Sequence, residues 1–199
     1  NPFDLTSMKG RSEFDRRHVL GLSWMWEQSH QFGNPVVDAV LRGWSISGVH
    51  NVSSGNPINF TMGTDVALDG TGGAGRQLAQ LVDGMSADDV PRDHENKDDF
   101  INAFFNTSAF VPVAQLPRGI YGNMPRGAVS GPAQANTDVS VTRTFGLPGP
   151  EGLRFQFRGE LFNAFNQVNF NSPNTNRSSG SFGRITGASS GRIGQLAVK

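Results

Sequence analysis

Leu153-Arg154-Phe155-Gln156-Phe157-Arg158-Gly159-Glu160-Leu161 decides the fold class. Side chains along an extended chain point alternately to opposite faces. Leu153, Phe155, Phe157 and Leu161 therefore share one face, and Arg154, Gln156, Arg158 and Glu160 share the other. Such a strand cannot be buried on both faces in a soluble sandwich, because the charges would lose their water without a partner. It needs an apolar medium on one side and water or a polar network on the other.

Working outward, the same period of two recurs in four further segments. Leu20, Leu22, Trp24 and Trp26 oppose Gly21, Ser23 and Glu27, with Met25 as the exception. Around 43–54, Trp44, Ile46, Gly48, His50 and Val52 oppose Ser45, Ser47, Asn51 and Ser53, and Val49 breaks the polar side. At 137–145, Thr137, Val139, Val141, Arg143 and Phe145 oppose Asp138, Ser140, Thr142 and Thr144, with Arg143 the odd member of its face. At 192–199, Leu196 and Val198 oppose Gln195 and Lys199. The connections alternate in length. Gly146-Leu147-Pro148-Gly149-Pro150-Glu151-Gly152 predicts a tight turn, and Gln28 to Arg42 is intermediate. The segments at about 55–134 and 166–190 far exceed ordinary loop lengths.

Short turns at one end of a sheet and long loops at the other are the pattern of outer-membrane barrels, with the short turns periplasmic. The fold class predicted is all-β: an antiparallel up-and-down meander of about five long strands, part of a transmembrane β-barrel with long extracellular loops. Five strands cannot close, since bacterial barrels have an even number from about eight upward. Open edges in lipid would leave backbone groups unpaired, so further strands are expected from upstream sequence or from other chains.

Composition agrees. The 25 Gly and 11 Pro among 199 residues disfavour long helices. Lys plus Arg equals Asp plus Glu at 17 each, so no net positive field draws in nucleic acid. With no Cys there is no disulfide, no thiolate metal site and no thiol nucleophile. No apolar run is long enough for a membrane helix, and the start Asn1-Pro2-Phe3-Asp4 has neither Met nor the features of a signal peptide. That start is expected of a processed or excised fragment.

Several stretches resemble a known family. Phe14-Asp15-Arg16-Arg17-His18, Gly43-Trp44-Ser45-Ile46-Ser47-Gly48 and Ser54-Gly55-Asn56-Pro57 are similar to the late barrel strands of Oar-like TonB-dependent receptors. Phe105-Asn106-Thr107-Ser108-Ala109-Phe110, the run from Arg154 to Asn166, Pro173-Asn174-Thr175-Asn176 and Phe182-Gly183-Arg184-Ile185-Thr186 continue the likeness in order and spacing. The resemblance implies that residues 1–199 are the C-terminal part of a barrel of about 22 strands, with the plug and the TonB-contacting segment upstream. It also implies that the chain ends short of the aromatic-terminated last strand of such receptors.

Candidate chemistry is sparse. His18, His30, His50 and His94 lack ligand or triad spacing, so structural or surface roles are expected. Asp65 and Asp69, within the Gly-rich stretch from Asp65 to Gly73, are weak candidates for cation binding, but the stretch lacks the alternating ligands and closing Glu of an EF-hand loop. Asp93 and His94 are weak metal candidates within the acidic run 88–99, since runs of like charge are more often solvated surface. Gly70 to Arg76 resembles a phosphate-cradling loop but lacks the following Lys-Ser/Thr. No catalytic residue and no cofactor is expected.

In the predicted barrel Leu20, Leu22, Trp24, Trp26, Leu153, Phe155, Phe157 and Leu161 face lipid. Arg154, Gln156, Arg158 and Glu160 face the lumen, where charge pairing with neighbouring strands is expected. Trp24, Trp26 and Trp44 are expected near strand ends as an aromatic girdle. The reading is a non-enzymatic wall and loops of a bacterial outer-membrane transporter for a bulky substrate. Its partners are outer-membrane lipid, the missing strands and plug, and the TonB complex through the upstream part. A structural or adhesive surface protein assembling edge to edge and a secreted β-sandwich enzyme acting on carbohydrate are the alternatives.

Overall fold

Strands form where alternation is sustained: β1 (Val19–Glu27), β2 (Trp44–Ser53), β5 (Gln134–Gly146), β6 (Arg154–Phe162) and β7 (Ile193–Val198). Two-residue strands β3 (Pro57–Ile58) and β4 (Val129–Ser130) and helices α1 (Pro35–Leu41) and α2 (Lys97–Asn102) complete the elements used below. A computed structural model describes residues 9–70, 77–146 and 153–199. The predicted turn at 146–152 falls almost wholly outside them, as do residues 71–76 of the Gly-rich stretch.

The chain divides into two units. One holds 18–53, 134–169 and 189–199, and it contains a single antiparallel sheet of order β1-β2-β5-β6-β7. Neighbours in the sheet are neighbours among its strands in sequence, which is the predicted meander. β5 starts earlier than the alternation suggested, because Gln134 pairs with Ser53 and Ala135 with Val52. Where β6 no longer flanks β5, the side-chain amide of Asn169 replaces it, accepting from the Ala135 N–H and donating to its carbonyl at 2.8 Å each. β6 ends at Phe162; the next residue, Asn163, turns the chain with a φ of 52°, and its N–H is held by the Asp138 carboxylate at 2.9 Å. Asn tolerates this left-handed conformation better than most residues.

The other unit holds 1–17, 54–133 and 170–188. The sequence predicted a long surface loop over about 55–134. The structure gives it a core of its own: Phe60, Phe105 and Phe110 are almost wholly buried, with Ile58, Ala79, Leu81, Val90, Phe104, Ala109, Met124, Val129 and Ile185 in the same cluster. Phe60 meets Phe105 edge-on at 4.8 Å and stacks on Phe110 at 4.9 Å, and Phe182 joins Phe105 edge-on at 5.0 Å. Each buried ring contributes about 1.5–3 kcal/mol relative to leaving it in water. Regular structure is scarce, so the backbone is satisfied by isolated bridges such as Leu81 with Phe110 and Pro91 with Phe105. Within this unit the chain passes itself so closely that a side chain on Gly55 would meet the Gly131 carbonyl at 1.8 Å.

Candidate functional site

The register of the five long strands decides what the sheet can do. Trp24 lies opposite Gly48, Gly48 opposite Val139, Val139 opposite Leu161, and Leu161 opposite Gly194. The adjacent row reads Trp26, Ile46, Val141, Gly159, Leu196. Paired residues point to the same face, so the apolar sides of all five strands merge into one surface. Leu20, Leu22, Trp24, Trp26, Phe155, Phe157 and Leu161 lie on it by register, and Leu153 continues the alternation just before β6. Large side chains lie over glycines: a Cβ on Gly48 would meet the Trp24 indole at 2.6 Å. Trp24 therefore sits within the strand rather than near its end as predicted, while Trp26 and Trp44 lie towards the end.

This surface is exposed. Leu22 is 54% accessible, Trp26 52% and Leu196 75%, far beyond scattered surface apolars. Every buried apolar residue among the described ones belongs to the other unit. The buried residues of the sheet unit with polar side chains are Ser53, Thr137, Arg143 and Asn163. A five-stranded sheet with no apolar core of its own cannot be held by burial away from water in the ordinary way.

On the opposite face stand Arg154, Gln156, Arg158 and Glu160, with Ser140, Thr142, Thr144 and Asp138 of β5 beside them. The predicted pairing of charges between strands is replaced by pairing along one strand: Arg158 Nη2 lies 2.6 Å from Glu160 Oε1. These residues share a face two positions apart, which makes the contact local. Asp138 accepts from Asn136 Nδ2 at 2.8 Å as well as from Asn163.

Arg143 is the exception that the sequence already marked. It lies on the apolar face, in register with Trp44 and Phe157, yet it is only 6% exposed. Its guanidinium is 5.2 Å from the Trp44 ring and 4.2 Å from the Phe145 ring, and it donates to the carbonyls of Ala39 and Val40 at the end of α1. Trp44 Nε1 donates to Val40 as well, at 3.0 Å. A cation at helix C-terminal carbonyls is favourable, and the aromatic faces add cation–π attraction. Sequence reasoning missed α1. Its signals were Asn34, which caps the Val36 and Val37 N–H groups, followed by Pro35 at the first helical position.

Three of the four metal candidates, Asp65, Asp69 and His94, are engaged in contacts within the chain. Gln77, almost fully buried, donates to Asp65 Oδ1 at 2.7 Å and Asp69 Oδ1 at 3.2 Å and accepts from the Val66 and Ala67 N–H groups. Tyr121 donates to Asp69 Oδ2 at 3.1 Å, and this bond, with burial and the nearby carboxylates, raises the phenol above its ordinary range. His94 pairs through Nε2 with the Phe104 carbonyl at 3.0 Å and lies against the Phe100 and Phe104 rings. In the acidic run, Asp89 completes a capping box with Ser86, whose N–H and hydroxyl hold its carboxyl below the usual range. Asp99 takes Arg92 at 3.0 Å at the start of α2. Among the described residues no group of His, Asp or Glu is arranged to hold a metal ion. His50 Nδ1 is 2.7 Å from Thr137 Oγ1, its register neighbour, and His30 meets Phe32 edge-on.

An antiparallel meander whose strands combine into one exposed apolar face and one polar face defines the wall of a membrane β-barrel. Among the described residues no helix is long and apolar enough to cross a membrane. A family model described as an outer membrane beta barrel domain matches residues 1–195. The chain belongs to that family, and its place is the bacterial outer membrane. No curated protein and no solved structure matches it.

Proposed function

We propose that this chain forms the wall and extracellular loops of a TonB-dependent transporter of the Oar-like type, passing a bulky substrate and carrying no catalytic chemistry of its own. The observation that carries the reading is the distribution of burial. The sheet spreads its apolar residues over an exposed face, and the loop unit closes a separate aromatic core. On this reading Leu20, Leu22, Trp24, Trp26, Leu153, Phe155, Phe157 and Leu161 face lipid, and Arg154, Gln156, Arg158 and Glu160 face the lumen. Among the described residues β1 pairs only with β2, and β7 only with β6. In lipid both outer edges must be paired, so further strands complete the barrel and a plug occupies it. The family resemblance of the loop motifs supports the TonB-dependent assignment.

The test is the native polypeptide that contains these peptides in the outer-membrane fraction. A mass several times 21.4 kDa, with cross-linking to TonB, is expected. A polypeptide near 21.4 kDa that forms regular oligomers refutes the receptor. It would favour edge-to-edge assembly of copies, for which β1 and β7 supply the pairing edges.

A further inference from the structure

The wall carries a feature that a plain barrel strand pair does not need. The connection between β1 and β2 forms α1, and α1 ends against the apolar face of the sheet, where Arg143 and Trp44 hold its last carbonyls. On a helix, 100° per residue places Val36, Val40, Val37 and Leu41 within about 140° of arc, with Asp38 outside it. Val36 is 72% exposed, Val40 57% and Leu41 47%, and Phe32 just before the helix is also exposed. Asp38 is turned to local work, accepting from the Phe32 N–H at 2.7 Å.

We propose that α1 is an interfacial helix lying in the membrane plane at the short-connection end of the wall, its valines and Leu41 seated in the lipid of the adjacent leaflet. The occupant is the outer-membrane lipid itself. α1 is held by Trp44 and Arg143, whose register positions lie on the apolar side of the sheet together with Phe145, and the chain belongs to an outer-membrane family. Amphipathic helices with a broad apolar arc bind at this depth, and Trp belongs at the same boundary. Arg143 is the positioning residue. A cation placed on a lipid-facing strand position is normally costly. Here its two Nη groups donate to helix carbonyls and its faces lie against aromatic rings, so the charge is used to pin the helix to the wall.

The inference rests on the wall reading, and one experiment separates the two. In the full-length protein in native outer membrane, with other cysteines removed, spin labels are placed singly at Val36→Cys, Val40→Cys, Leu161→Cys and Gln156→Cys. Collisional accessibility is then compared between oxygen, which concentrates in lipid, and a water-soluble nickel chelate. Oxygen preference at Val36, Val40 and Leu161 with nickel preference at Gln156 is the expected result. Nickel preference at Val36 and Val40 while Leu161 keeps its oxygen preference would overturn the interfacial helix and leave the wall standing. Nickel preference at Leu161 as well would overturn both. Arg143→Gln, made in the Val40→Cys background, is expected to mobilise the label and abolish its oxygen preference. An unchanged spectrum would overturn the role given to Arg143.

Discussion

Replacing Phe105 by Ala removes a wholly buried ring from the centre of the loop unit. Phe105 meets Phe60 at 4.8 Å, Phe182 at 5.0 Å and Phe110 at 5.9 Å, all edge-on, so the deletion strips three ring partners at once. Loss of transfer free energy together with the cavity left behind costs about 3–5 kcal/mol for a buried Phe→Ala change. Neighbouring rings limit collapse into the gap, which places the cost towards the upper end of that range. Since about 1.4 kcal/mol is a factor of ten in an equilibrium constant, amides protected by this core are expected to exchange roughly two to three and a half orders of magnitude faster. Hydrogen exchange read by mass spectrometry on the full-length protein in membranes is the assay. Peptides from 54–133 and 170–188 should accelerate and those from β2, β5 and β6 should not. Phe14→Ala, at a residue 90% exposed, serves as the control and should change stability by no more than about 0.5 kcal/mol. An equal acceleration in the strands, or none anywhere, would refute the idea that the loops carry an independent core.

Gly48→Ala forces a methyl against the Trp24 indole; a cost of about 1–3 kcal/mol and a shifted Trp emission in refolded protein are expected, and unchanged emission would sink the packing argument. Leu161→Arg puts a charge in the row Trp24, Gly48, Val139, Leu161, Gly194. It is expected to lower stability by about 2–4 kcal/mol in vesicles, measured by urea titration, while Gln156→Arg on the other face is expected to be nearly silent. Tyr121, the one tyrosine of the chain, has its phenol raised by donation to Asp69. Its contribution is therefore complete below the ordinary tyrosine value of about 10 and fades as pH rises through the elevated one. Asp69→Asn should bring the phenolate absorbance titration of this chain back towards its ordinary value, and an unmoved titration would count against the bond.

Sheet and loops differ in how much of themselves the sequence discloses. Leu153 to Leu161 could be assigned to a two-faced strand because a period of two is local and needs no partner to be seen. The meander followed from that and from connection lengths. The aromatic core was not legible, since Phe60, Phe105, Phe110 and Phe182 recur at no fixed period and meet only through long-range contacts. α1 is too short for its apolar arc to stand out as periodicity, although Asn34-Pro35 announced its start. Arg143 was visible as an anomaly, but its explanation needed the carbonyls of Ala39 and Val40, which lie about a hundred residues earlier. Alternation puts Arg158 and Glu160 on one face of the strand, but their pairing with each other was missed because two-residue spacing on a strand competes with neighbours across the sheet.

The aromatic core draws on both sides of a hairpin in sequence. Phe60 to Val129 precede β5, whereas Phe182 and Ile185 follow β6. A chain delivered from its N-terminus therefore presents most of this core while the closing rings are still to come, and β5 and β6 must be delivered in between. Contacts so distant in the chain form late and slowly. The loop unit is thus built to mature after the strands that interrupt it, and its completion reports that the hairpin has already been handed over.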